Sequence, residues 1–146
     1  MAPVEKTIEI LAALVGFDTT SRNSNLDLIA WIEAYLKDLG VRSRRIPDSS
    51  GTKSNLWATV GPDQSGGYIL SGHTDVVPTD GQTWTTDPFR LDERGGRLYG
   101  RGACDMKGFD SAASRQCRPC WPGRWRGPSI WHFPMTRRSA ASACAA

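Results

Sequence analysis

The stretch Ser71-Gly72-His73-Thr74-Asp75-Val76-Val77-Pro78 decides how this chain is read. It continues the short apolar run Tyr68-Ile69-Leu70, which predicts a buried strand running into His73. In open α/β sheets, ligands gather beyond the carboxyl ends of strands, so His73 stands where a site can form. Further along, Gly100-Arg101-Gly102-Ala103-Cys104-Asp105-Met106-Lys107-Gly108 puts Asp105 at a second turn, where it is predicted to cap a helix starting near Met106. A neutral imidazole binds a metal ion through one nitrogen, and its other nitrogen needs a carboxylate or carbonyl partner, which Asp75 can supply. The Asp105 carboxylate can ligate one metal or bridge two. Residue types alone leave a plainer alternative open, because one His and two Asp in loops also make turns and caps.

Outward from this stretch, the body alternates helices and strands. Pro3 suits a first helical turn, and Ile8, Leu11, Ala12 and Val15 recur at helical spacing before Gly16. Residues 19–25 form a polar loop. A second helix is predicted from Ser24 or Asn25, with Leu28, Ile29, Ile32, Tyr35, Leu36 and Leu39 on its apolar face and Gly40 as its stop. Val41 to Ile46 reads as a polar edge strand, and Asn55 to Val60 as a better-defined one. Arg90-Leu91-Asp92 and Arg97-Leu98-Tyr99 flank Gly95-Gly96 as a hairpin. This order predicts an α/β fold, a mixed sheet flanked by helices.

Composition divides the chain. Residues 1–113 hold 12 of the 18 Lys and Arg and all 15 Asp and Glu, whereas residues 114–146 hold six Arg and no acid. Four prolines and three tryptophans without helical or strand period fill that last stretch, which predicts a poorly structured basic tail. The division is therefore 1–113, a partial catalytic domain, and 114–146, an atypical tail. No apolar run reaches the roughly 18 residues of a membrane span, and no secretory signal is visible, so a cytoplasmic protein without membrane partners is expected.

The motifs SGHTDVVP at 71–78, W-x-x-DPF from Trp84 to Phe89, and LYGRGACDMKG at 98–108 together resemble the M20 metallopeptidases, a superfamily of zinc-dependent aminoacylases and carboxypeptidases. Residues 17–25 and 51–56 resemble the bacterial branch that hydrolyses N-acetylornithine. The likeness runs from about Thr7 to Asp110. It implies that this is the N-terminal part of a zinc-peptidase-like catalytic domain. It further implies that His73 is a zinc ligand, that Asp105 bridges two metals, and that Asp75 is the catalytic acid that orients the His. Two Zn²⁺ per complete site are implied, with Co²⁺ able to replace them. The implied reaction is hydrolysis of an N-acyl amino acid, N-acetylornithine first, with N-succinyl-diaminopimelate or a peptide substrate as alternatives. A homodimer is expected of the full-length family member but not of this chain.

The family pattern also requires a Glu-Glu pair, another acidic ligand and a distant His, yet no Asp or Glu follows Asp110 and the only other His is His132. A change of reading frame near residues 110–114 accounts for this. Codons chosen for Ile130 to Ser139 and read from the third base of each yield LAFSYDEEV, which resembles the family's next strand and its acidic pair. Little or no activity is therefore expected of this chain. Two rival readings of the tail remain. Cys117-Arg118-Pro119-Cys120 is a weak metal or redox signal that lacks the spacing of a four-ligand site. The Arg and Trp residues suit indiscriminate polyanion binding rather than a specific nucleic-acid partner.

Overall fold

The computed structural model describes residues 3–61, 67–117 and 129–133, with Pro3 and 129–133 as backbone only. Helix α1 (Pro3–Val15) and helix α2 (Leu26–Asp38) lead into strands β1 (Arg42–Pro47), β2 (Ser54–Val60) and β3 (Tyr68–Ser71). A hairpin of β4 (Asp92–Arg94) and β5 (Arg97–Tyr99) follows, then a turn at Ala103–Lys107, helix α3 (Gly108–Gln116) and strand β6 (Ser129–Phe133). The main sheet has the order β1-β2-β6-β3. β1 and β6 run antiparallel to β2, whereas β3 runs parallel to β6. The expected mixed sheet with helices is thus present. The parallel step from β3 to β6 passes through α3, as such crossovers require.

One apolar cluster joins the helices to the sheet. It contains Ile10 and Leu14 of α1, Leu28, Ile29, Ile32 and Leu36 of α2, Leu56 and Ala58 of β2, and Ala113 and Cys117 at α3. The α2 face is the predicted one: Tyr35 and Leu39 pack against the cluster's edge. The helix ends at Gly40, where the Gly40 and Val41 amides bond back to the Lys37 and Leu36 carbonyls. On α1 the buried residues are Ile10, Leu11, Leu14 and Val15, so the face is rotated from the predicted one and Ala12 is exposed. The reason is α3, which packs on α1 and claims the Ile10–Leu14 side.

Two further expectations are corrected. β3 is not buried: Tyr68 and Ile69 are exposed because β3 is the sheet's edge among the described residues. The hairpin strands lie at 92–94 and 97–99, leaving Gly95 and Gly96, both with positive φ, as the two-residue turn. Past residue 113, α3 continues to Gln116, Ser114 and Cys117 are buried, and 129–133 forms a strand inside the sheet. Backbone hydrogen bonding to β2 and β3 on both sides supplies order there that side-chain periodicity does not announce. The rest of the predicted tail, and the side chain of His132, lie outside the described residues.

Candidate metal site

His73, Thr74, Asp75 and Val76 are all buried just beyond the end of β3. The loop before α2 holds them there. Thr19 Oγ1 donates to the Thr74 carbonyl at 2.6 Å, and the Val76 amide donates to Thr19 O at 3.0 Å. The Ser21 amide in turn donates to Val76 O, completing a parallel bridge between Thr20 and Val76. Asn25, the residue before α2, does not cap the helix with its side chain. Its amide bonds to Ser54 on both sides and reaches Thr74 Oγ1 at 3.1 Å, fastening the loop to β2.

The second arm is built differently. Asp105 lies in the turn at Ala103–Lys107 with non-helical backbone, φ −125° and ψ 90°, and the Asp105–Met106 peptide is cis. The helix cap predicted for it from the sequence is not formed. α3 begins at Gly108 with no side-chain cap, and the Asp105 carboxylate turns toward His73 instead. Close approach sets this arm's path. A Cβ on Gly102 would lie 2.6 Å from Val76 Cγ1, and one on Gly72 would overlap the Asp110 carboxylate.

The three predicted site residues come together. His73 Nε2 lies 3.0 Å from Asp105 Oδ1. His73 Nδ1 lies 3.0 Å from the Asp75 carbonyl and 3.3 Å from Asp75 Oδ1. Only the carbonyl contact has hydrogen-bond geometry, so we assign the Nδ1–H bond to it and leave the carboxylate in ion-pair range. With the proton on Nδ1, Nε2 presents a lone pair to a carboxylate oxygen. Two lone-pair donors face to face need a cation or a proton between them. Two ligands of one tetrahedral zinc stand about 3.3–3.5 Å apart, close to the spacing found. The donor set therefore fits a divalent ion, with the imidazole side buried and the Asp105 side chain 56% exposed. It is incomplete, since no cluster of three or more His, Cys, Asp or Glu forms among the described residues, and a zinc site takes three or four protein ligands.

Beneath the site lie a buried lysine and a buried aspartate that no local sequence pattern singles out. Lys107 is fully buried, which is rare for lysine, and its Nζ donates to Phe17 O at 2.8 Å. Burial lowers its pKa to about 8, against the opposing pull of Asp18 and Asp110. Asp110 is buried with no hydrogen-bond partner for either oxygen among the described residues. Burial raises its pKa well above the ordinary carboxylate value, while Lys107 acts the other way. The C-x-x-C reading loses Cys117 to the core: its thiol is buried, points to Ala113 O at 3.7 Å, and has its pKa raised to about 12 by burial. Cys120 lies outside the described residues.

Comparison with known proteins adds to this geometry. Residues 69–118, which carry His73, Asp75 and Asp105, match the profile of peptidase family M20/M25/M40. The chain is 40% identical over 116 residues to an acetylornithine deacetylase of Pasteurella multocida, covering 75% of this chain and 30% of that protein. It is 44% identical over 110 residues to one of Shigella sonnei, covering 70% and 28%. The chain thus spans under a third of the length of these curated relatives. Among solved structures, human carnosine dipeptidase 1 superposes with a TM-score of 0.77 at 23% identity, over 97% of this chain and 34% of that one. An M20 family metallo-carboxypeptidase from Sulfolobus solfataricus gives 0.76 at 18% identity, over 88% and 30%. At these identities the structural likeness speaks for the fold.

Proposed function

We propose, for a chain whose residues 69–118 belong to the M20/M25/M40 peptidases, that the whole protein is a metal-dependent hydrolase of N-acyl amino acids with N-acetylornithine as substrate. The observation that carries the metal is the 3.0 Å approach of His73 Nε2 to Asp105 Oδ1. The substrate rests on the relatives of 40% and 44% identity, both acetylornithine deacetylases. A bound divalent ion, zinc or cobalt, would polarise the amide carbonyl and activate water. His73 and Asp105 would hold it, and Asp75 would keep the His73 proton on Nδ1. The leaving amine needs a proton from an acid that the described residues do not place at the site, in line with the Glu-Glu pair missing from the sequence.

For this chain we propose little or no turnover, since loss of a general acid or base alone costs about 10²–10⁴-fold. A frame change after Asp110 explains the loss. What supports it is β6: the backbone of 129–133 takes the strand position after α3, parallel to β3, and codons chosen for this stretch give LAFSYDEEV in another frame. Two measurements test the reading. The gene must encode SYDEE in another frame, and the protein completed in that frame must release acetate from N-acetylornithine faster than succinate from N-succinyl-diaminopimelate, with both activities lost in His73→Ala. Turnover by the 146-residue chain itself, absent in His73→Ala, would show that the missing acids are dispensable.

A further inference from the structure

We propose that Ser21 is a positioning residue for the metal-facing imidazole, acting through the Asp75 carboxylate. This deepens the hydrolase reading above and depends on its metal site. Ser21 Oγ lies 2.7 Å from Asp75 Oδ2 and 3.3 Å from the Val76 carbonyl. A hydroxyl has one proton to donate, and the shorter, charge-assisted contact takes it. That bond commits Oδ2 and leaves Oδ1 as the oxygen facing His73 Nδ1, 3.3 Å away. Oδ1 is buried and has no hydrogen bond of its own among the described residues. Among the described residues the one hydrogen bond that fixes the rotation of the Asp75 carboxylate therefore comes from Ser21, 54 positions earlier in the chain.

The surroundings of Ser21 make its hydroxyl a fixed point. Its amide donates to Val76 O at 3.0 Å, and its carbonyl accepts from Lys53 Nζ. Backbone on both sides of the residue is thereby tied down, so Oγ is aimed rather than free to swing. The order of action runs from Ser21 Oγ to Asp75 Oδ2, from Asp75 Oδ1 to the His73 ring, and from His73 Nε2 to the ion shared with Asp105. A carboxylate beside the remote nitrogen of a ligating imidazole raises its basicity and fixes its plane. Ser21 sets which way that carboxylate faces.

The test uses the full 146-residue chain as wild type, Ser21→Ala, Ser21→Thr, and Asp75→Ala with and without Ser21→Ala. Co²⁺ alone is titrated by calorimetry. Direct outer partners of metal-bound His are worth about 10–100-fold in affinity, so Ser21, one step further out, is expected to be worth about 3–10-fold. Ser21→Thr keeps the hydroxyl and restores the affinity. In the Asp75→Ala background, Ser21→Ala causes no further loss, the signature of two groups acting as a unit. A second readout needs no metal: exchange of the His73 Nδ1 proton by NMR, told from His132 with His132→Gln, is faster in Ser21→Ala than in wild type and slow again in Ser21→Thr.

Equal affinity and equal exchange in wild type and Ser21→Ala overturn the proposal. So does a Ser21→Thr variant as impaired as Ser21→Ala, or a Ser21→Ala loss that persists undiminished without Asp75. Should wild type bind no Co²⁺, the two donors of this chain do not hold an ion without the ligands of the complete site, and the metal-free exchange comparison alone decides the role of Ser21.

Discussion

The two arms of the site differ in how they are held. The His73 arm is buried over four consecutive residues and fastened by hydrogen bonds from Thr19, Ser21 and Asn25. The Asp105 arm exposes more than half of its side chain and is shaped from below, by the close approach of Gly102 to Val76 and by Lys107 anchored on Phe17 O. Polar bonds therefore set the first arm, and packing sets the second. A neutral, directional ligand needs a fixed plane and tautomer. An anionic ligand that can bridge two ions gains from some freedom to turn.

The largest way to test that contrast is to remove each proposed ligand in turn. His73→Ala and Asp105→Ala should both lower Co²⁺ affinity by more than the roughly 100-fold that loss of an outer partner reaches. Without metal they should part company. His73→Ala vacates a buried position and should destabilise by about 1–3 kcal/mol, whereas Asp105→Ala, at an exposed side chain facing another lone pair, should change stability by less than about 0.5 kcal/mol or raise it. Urea unfolding in the presence of a chelator measures this, and equal losses would erase the distinction between the arms.

The next pair of substitutions probes the means of fastening. Gly102 has φ +77°, and a Cβ there would meet Val76 Cγ1 and Lys107 Cδ, so Gly102→Ala should cost about 1–3 kcal/mol through overpacking and backbone strain. Thr19→Val removes the buried hydroxyl that donates to the Thr74 carbonyl and should cost about 1–3 kcal/mol. Their effects on metal binding should differ in kind. Thr19→Val disturbs the imidazole side and should weaken binding to both wild type and a chain already lacking Asp105. Gly102→Ala should add nothing once Asp105 is gone. Calorimetric titration of the two double variants separates these outcomes.

That His73, Asp75 and Asp105 lie together was legible because their motif words are specific, and the α2 face was legible because its period is regular. What could not be read was supplied by tertiary structure. α1 turned its face because α3 chose which side to cover, and β3 became an edge because its apolar run says only that a strand forms, not where it lies in the sheet. Asp105 looked like a helix cap because a lone Asp before a helix usually is one, and only the turn's backbone shows that it faces His73. Thr19, Ser21 and Asn25 sat in a stretch that sequence marks as merely polar, since hydroxyl residues in a loop bond locally far more often than across 54 positions. Lys107 and Asp110 follow the same logic, for nothing in their local pattern announces burial.

Asp110 offers the smallest effect at any single pH, and one that shows as a slope. It lies under Gly72, between the arms, with Lys107 as the cation acting on it. Burial makes the folded chain keep the Asp110 proton to a higher pH than the unfolded chain does. The stability this adds is fully present below the ordinary aspartate pKa and is lost as pH rises through the raised folded value. Asp110→Asn keeps the shape and stays neutral throughout. The variant should match wild type in acid and gain on it steadily as pH rises toward neutrality, read as the difference between their urea midpoints across a pH series. Parallel profiles would mean that the ammonium of Lys107 balances the carboxylate in full, and that the packed arm is held by an ion pair rather than by a buried acid.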